Sequence, residues 1–308
     1  MGTPDFAVPS LVMLLDAGYD VLACVTQPDR KAGRGHKTVP PPVKKLAEER
    51  GVPVYQFEKV SAPEGCEVLE KLAPDVMVTA AFGHILSDRV LAIPKYGCIN
   101  VHASLLPKLR GAAPIQWAVI TGEKKTGVTT MYTVKALDAG DILEQDAIDI
   151  PDDMTAGELY DALAALGAQT LKRTLEKLAA GTLCRTPQNE DEATYFPMFK
   201  KGFGEIDFCA DAKTVVDFVR GTNPMPGAYV TYGDEKIKIH KVSRAAAGEG
   251  PCGAALFADA KNGLVIACAG GAVHVDVMQR QGGRAMRSEE CLRGKKMDAG
   301  YVFRKAGL

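Results

Sequence analysis

Residues 98–116 read CINVHASLLPKLRGAAPIQ, and this stretch decides the fold. An apolar run hands over to Asn100 and His102, and a loop carrying Pro107, Arg110 and Gly111 follows before the chain looks helical again. Polar groups at i and i+2 lie on one face of a strand. That arrangement packs poorly and suits chemistry. Upstream, DVLACVT (20–26) and APDVMVTAAFG (73–83) are further short apolar runs rich in β-branched residues. Between the runs, PPPVKKLAEERG (40–51) and APEGCEVLEKLA (62–73) place apolar residues at helical spacing. Strands alternating with helices imply parallel βαβ units, hence an α/β, Rossmann-like parallel sheet. Such sheets carry their sites beyond the carboxyl ends of the strands, where Asn100 and His102 stand.

Downstream, TGVTTMYTVKALDAGDILEQDAIDI (126–150) reads as two β segments joined by a Gly-containing turn. A long helix follows: Thr155 and Glu158 have capping-box spacing, six leucines from Leu159 to Leu178 give an apolar face, and Gly181 ends it. Residues 182–203 lose periodicity. Beyond them GAYVTYGDEKIKIHKVS (227–243) alternates around a Gly-Asp turn, and NGLVIACAGGAVHVDVMQRQG (262–282) gives two more strands around Gly-Gly. Only DAKTVVDFVRG (211–221) looks helical there. The expected organisation is a catalytic domain over 1–181, a linker over 182–203, and a small antiparallel β domain over 204–308, an OB-like barrel.

Composition bounds the class. With 308 residues, 46% hydrophobic and 24% charged, the chain can bury two cores. No apolar run reaches the length of a membrane helix and the start shows no secretory pattern, so a cytoplasmic protein with no membrane partner is expected. Eight cysteines fall at scattered positions without metal or disulfide spacing and read as reduced, mostly packed thiols. Residues 201–308 carry 16 Lys/Arg against 12 Asp/Glu, and residues 1–200 carry 21 against 26, a weak hint of a polyanion partner for the second part.

Asn100, His102 and Asp138 form the first candidate site. A carboxylate on the turn in KALDAGDIL (135–143) can hold an imidazole and tune it, and a side-chain amide beside them can donate to an oxygen gaining charge. With no Ser or Cys nucleophile in evidence, the group points to direct acyl transfer. A plain hydrogen-bonded histidine at a strand end satisfies the same spacing. The second candidate is TQPDRKAGRGHKTVPPP (26–42), which gathers Arg30, Lys31, Arg34, His36 and Lys37 around two glycines. A loop this long between a strand and a helix is uncommon unless functional, and a basic one can wrap phosphates; a solvated surface loop has the same composition. GTPDFA (2–7) is not G-x-G-x-x-G, so no dinucleotide follows. His36, His84, His240 and His274 make no metal pattern, so no metal is expected. Trp117 and Met131 read as core residues.

The motifs GTPDFAVPSL, TQPDRKAGRG, CINVHASLLPKLRGAAPIQ and LDAGDIL, with GEIDF and NPMPGAYV in the second half, resemble in order and spacing those of the methionyl-tRNA formyltransferases. These belong to the wider 10-formyltetrahydrofolate-dependent formyltransferase family. The Asn-x-His…SLLP…Asp set belongs to the wider family, so it identifies the chemistry and not the acceptor. The resemblance implies transfer of the formyl group of 10-formyltetrahydrofolate to the α-amino group of methionyl initiator tRNA, for translation initiation, by a monomer without a metal. It implies that Asn100 and His102 stabilise the oxyanion, that His102 moves protons and that Asp138 orients it. It further implies a folate site over Phe82, Gly83, His84, Ile85 and Leu86, over Ser104, Leu105, Leu106 and Pro107, and over Asp138, Gly140 and Asp141. Arg30, Lys31, Arg34, His36 and Lys37 would meet the tRNA acceptor end, and the β domain its outer phosphates. A formyltransferase acting on a sugar or other small amine is the alternative within the chemistry; a folate-retaining or RNA-binding protein without turnover is the alternative outside it. One departure from the family is expected to weaken the sheet: its first apolar strand, which precedes Gly-Thr-Pro-Asp-Phe, is missing here.

Overall fold

The computed structural model describes residues 1–32, 37–246, 248 and 250–305. It separates into two compact units, one of residues 1–114, 125–149 and 160–196, the other of 115–124, 150–159 and Pro197 onward.

In the first unit, helix α1 (Val8–Asp16) leads to β1 (Cys24–Thr26). Strands β2 (Arg30–Ala32) and β3 (Lys37–Val39) then pair antiparallel with each other. Helix α2 (Pro42–Glu49), β4 (Val54–Gln56), α3 (Pro63–Leu72), β5 (Met77–Ala80), α4 (Asp88–Leu91) and β6 (Cys98–His102) follow. Strand β7 (Arg110–Gly111), helix α5 (Pro114–Ile120), whose residues from Ile115 on belong to the second unit, β8 (Lys125–Tyr132) and β9 (Ile142–Asp149) come next. Prolines at the first turns of α1, α2 and α3 start those helices without losing a backbone hydrogen bond.

The parallel portion holds: β1 pairs with β4 and β5 with β6, both parallel. Met1 and Gly2 lie between these pairs. The Met1 ammonium donates to Val78 O at 2.7 Å, Ala80 N donates to Met1 O at 3.0 Å, and Gly2 N donates to Val25 O at 3.0 Å. An apolar cavity of about 730 Å³, lined among others by Leu11, Leu14, Val21, Leu72 and Leu175, lies beside these two residues. Burial pushes the Met1 amine below its ordinary value. Past β6 the sheet departs from the parallel expectation and becomes mixed. Strand β8 is antiparallel to both β6 and β9, and residues 133–141 join β8 to β9 as a hairpin connection. Strand β8 is buried along almost its whole length, whereas β9 alternates as an edge strand with one wet face.

Helix α6 (Ala156–Ala179) starts on the expected capping box: Glu158 Oε2 accepts from Thr155 N at 2.8 Å, and Thr155 Oγ1 accepts from Glu158 N at 3.3 Å. Its stripe of Leu159, Leu163, Leu171 and Leu175 is fully buried. At Gly167 a Cβ would sit 2.9 Å from Val101 Cγ1, so only glycine lets the helix lie this close to β6. That contact fixes the strand that carries Asn100 and His102. The segment after α6 returns to the sheet, and β10 (Tyr195–Phe196) pairs in parallel with β7.

The second unit carries α7 (Ala212–Gly221), β11 (Ala228–Tyr232), β12 (Glu235–Ala245), β13 (Ala255–Asp259), β14 (Gly263–Cys268), β15 (Gly271–Gln279), β16 (Met286–Arg287) and α8 (Ser288–Gly294). The 227–243 hairpin and the Gly270-Gly271 hairpin form as the alternation predicts. The closed barrel does not. Strand order is β11-β12-β15-β14-β13 with β16 on β15, and among the described residues β13 and β11 do not pair. Other segments cover both edges: Glu205 bridges Tyr229 on β11, and Ala254, just before β13, bridges Val302. An edge protected this way has no need to close on its opposite. The inward faces of the sheet and α7 share one core, including Val215, Val219, Ile237, Ile239, Leu264, Ile266 and Met278. Trp117 is only half-buried, against the core expectation, and donates from Nε1 to Pro197 O at 3.1 Å; Met131 is buried. Among the described residues no helix is long and apolar enough to cross a membrane.

Candidate active site

Parallel pairing sets Asn100 directly opposite Thr79. The Thr79 hydroxyl donates to Asn100 Oδ1 at 2.9 Å. With its oxygen so engaged, the amide turns its two N–H groups the other way, as hydrogen-bond donors. Two residues on, His102 ends β6 with 7% of its surface exposed. Its Nε2 lies 3.1 Å from Leu109 O, and its Nδ1 lies 3.8 Å from Asp138 Oδ1. Asp138 adopts a left-handed backbone, φ 50°, and its Oδ2 accepts from Gly111 N at 2.8 Å. Amide, imidazole and carboxylate therefore stand at one strand end.

The 104–107 stretch is anchored. Ser104 is buried, and its hydroxyl donates to Lys108 O at 2.7 Å. Leu106 is buried too, its amide donating to Thr129 Oγ1 at 3.1 Å; Leu105 is half-buried, and Pro107 follows a cis peptide bond. In the 82–86 stretch, Phe82 and Leu86 are core side chains, whereas Ile85 is 89% exposed. Gly83 takes φ 75° beside the Gln27 amide, which donates to Phe82 O at 3.1 Å. His84 packs against Phe82 with ring centroids 4.7 Å apart and the planes tilted by 56°, and its Nδ1 is buried without a hydrogen-bond partner. Burial pushes its pKa down, so at neutral pH the ring is uncharged. Gly140 is buried where a Cβ would lie 1.7 Å from Tyr132 O, and Asp141 pairs with Arg185 at 3.2 Å.

Of the basic residues, Arg34 and His36 lie outside the described residues, and for Lys31 and Lys37 only the β2–β3 backbone is described. Arg30 is exposed and faces Glu58 at 3.5 Å. The open loop expected here is in part a short ribbon.

Sequence reasoning missed two features. Thr79 orients Asn100, and only the strand register shows it. Residues 188–195, expected as linker, touch the site. Gln188 Nε2 donates to the carbonyls of Asp138 at 2.8 Å and Gly140 at 2.7 Å. Its Oε1 accepts from Arg110 Nε at 3.1 Å and Nη2 at 2.8 Å. Arg110 is wholly buried, and its guanidinium also donates to both oxygens of Glu190 and to the Tyr195 hydroxyl. This pairing pushes the Arg110 pKa up and the Glu190 pKa down.

An amide, an imidazole and a carboxylate gathered at the strand ends of an α/β sheet are the kinds of group that acyl transfer draws on. The family model for formyl transferase matches residues 2–175, and that for the formyl transferase C-terminal domain matches residues 198–296. The chain belongs to the formyl transferase family. It is 48% identical over 304 residues to a methionyl-tRNA formyltransferase of Acetivibrio thermocellus, covering 98% of each chain. It is 45% identical over 302 residues to one of Geobacter metallireducens, covering 97% of this chain and 96% of that one. Among solved structures it is similar to WlaRD, a sugar 3N-formyl transferase crystallised in the presence of dTDP and 5-N-formyl-THF. The TM-score is 0.65 at 18% identity, covering 91% of this chain and 95% of that one, a likeness of fold.

Proposed function

We propose that this chain transfers the formyl group of 10-formyltetrahydrofolate to the α-amino group of methionyl initiator tRNA. The observation that carries the reading is the Asn100–His102–Asp138 group in a chain 48% identical along its length to a methionyl-tRNA formyltransferase. The amine nitrogen attacks the formyl carbon and gives a tetrahedral oxyanion. The Asn100 N–H groups, turned outward by Thr79, donate to that oxygen, an interaction worth about 3 kcal/mol in comparable sites. The C–N bond to the folate then breaks, and the proton lost by the amine is delivered to the departing folate nitrogen. His102 carries it. The ring proton first moves from Nε2 to Nδ1, where the Asp138 carboxylate accepts it, and the ring turns off Leu109 O. Nε2 then takes the amine proton, and Asp138 stabilises the imidazolium until Nε2 releases the proton to the folate nitrogen.

The folate ring meets the exposed Ile85, the unpartnered His84 Nδ1 and the backbone from Asp138 to Asp141. The buried side chains of Phe82, Leu86, Ser104 and Leu106 shape the loops that hold it. Arg30, Lys31, Arg34, His36 and Lys37 meet the acceptor end of the tRNA, and the β domain its outer phosphates. The enzyme acts as a cytoplasmic monomer, and its second unit binds the tRNA. The test is incubation with radiolabelled 10-formyltetrahydrofolate and methionyl initiator tRNA. Label on the aminoacyl end supports the reading; folded protein that leaves the tRNA unlabelled refutes it.

A further inference from the structure

We propose that Gln188, oriented by Arg110, is a positioning residue that holds Asp138 against His102, within a clamp formed by residues 188–196. The proposal rests on the roles given above to His102 and Asp138. Both protein partners of the His102 ring are fixed from this one segment. On the Nε2 side, Leu109 presents its carbonyl, and its own amide donates to Thr194 Oγ1 at 2.8 Å. On the Nδ1 side, Asp138 presents Oδ1, and its carbonyl accepts from Gln188. Between them, Arg110 N donates to Thr194 O at 2.8 Å and Ala112 N to Phe196 O at 3.0 Å, so the β7–β10 ladder ties the 109–112 backbone to the same segment.

Asp138 needs this support. A non-glycine residue at φ 50° stays there only when its surroundings hold it. The two Gln188 N–H bonds, to Asp138 O and Gly140 O, hold the backbone that leaves that residue. Gly111 N takes Oδ2, which leaves Oδ1 for His102. The Gln188 amide has no freedom to flip. Its oxygen receives two guanidinium N–H groups from Arg110, and a flipped amide would set its N–H groups against them. Arg110 in turn is held by Glu190 and Tyr195. The chain of contacts runs from the surface carboxylate of Glu190 to the carboxylate facing His102.

Gln188→Glu separates positioning from folding. The carboxylate still accepts from Arg110 and so keeps the segment anchored, but it cannot donate to Asp138 O or Gly140 O. The expected result is a kcat for formyl transfer about ten- to a hundredfold lower, with KM for tRNA unchanged and the melting temperature near that of the unaltered enzyme. Gln188→Met, of similar length and uncharged, gives the same loss of kcat and serves if the Glu variant does not fold. Folded variants with unaltered kcat, or with the loss confined to KM, overturn the proposal. His102→Ala is measured alongside. If it is as active as the unaltered enzyme, the role of His102 fails and this proposal with it. If it is inactive while Gln188→Glu is normal, only the clamp is refuted.

Discussion

Replacing Glu235 with Gln should destabilise the second unit at neutral pH and leave it unaffected in strong acid. Glu235 opens β12 and accepts from Arg280 Nε at 3.0 Å and Nη2 at 2.5 Å, and from Lys295 Nζ at 2.9 Å. Arg280, 9% exposed, directly follows β15, and Lys295 follows α8, so the ends of three elements meet on one carboxylate. The hydrogen bonds from Arg280, followed by those from Lys295, hold the Glu235 pKa at about 2 against an ordinary 4.5. At 1.36 kcal/mol per pH unit that difference bounds the effect at about 3 kcal/mol. The carboxylate is 17% exposed and Lys295 is 67% exposed, so water screens part of the field and about 1–2 kcal/mol is expected. Because the folded pKa lies below the unfolded one, the contribution is complete above pH 4.5 and drains away as pH falls towards 2. Trp117 is the one tryptophan and lies in the same unit, so urea unfolding followed by its fluorescence reads the relevant transition. The stability gap between the two proteins should shrink from pH 7 to pH 3. A gap that stays constant across that range, or no gap at pH 7, would refute the electrostatic account.

Three further outcomes follow from the site. His102→Ala should lower kcat by about 10²–10⁴-fold, with tRNA affinity by filter binding unchanged; a fully active variant contradicts the role given to the imidazole. Thr79→Val keeps the shape of the side chain and removes the donor to Asn100, so steady-state kinetics should show kcat about tenfold lower at constant KM, and equal rates would mean the amide orients itself. Arg34→Ala should weaken use of tRNA while sparing slow hydrolysis of the folate donor, and equal loss of both would remove the loop from tRNA binding.

What the sequence made legible was what local periodicity encodes. Helix α6 with its capping box, the hairpins around Gly233-Asp234 and Gly270-Gly271, and the strand ending at His102 each carry their own signal within a few residues. The rest depends on partners far along the chain. The pair Tyr195–Phe196 is too short to show any period, and its meaning lies in pairing with Arg110–Gly111, 85 residues earlier. Thr79 looks like any strand threonine until the register sets it against Asn100. The second sheet reads as a barrel from its alternation, but the covering of its edges by residues near 205 and 302 is tertiary, and no local pattern announces it. Gln188 lies in a stretch without periodicity, and an amide two residues from an acidic run gives no hint that it grips the backbone of Asp138.

The acceptor defines the function, and one experiment compares two candidates. Initial rates of formyl transfer from 10-formyltetrahydrofolate should be taken with methionyl initiator tRNA and, separately, with a nucleotide-linked amino sugar. A formyltransferase acting on methionyl initiator tRNA gives a kcat/KM for the charged tRNA greater by several orders of magnitude, with no measurable formylation of the sugar. Formylation of the sugar at a rate equal to or above that of the tRNA would contradict it.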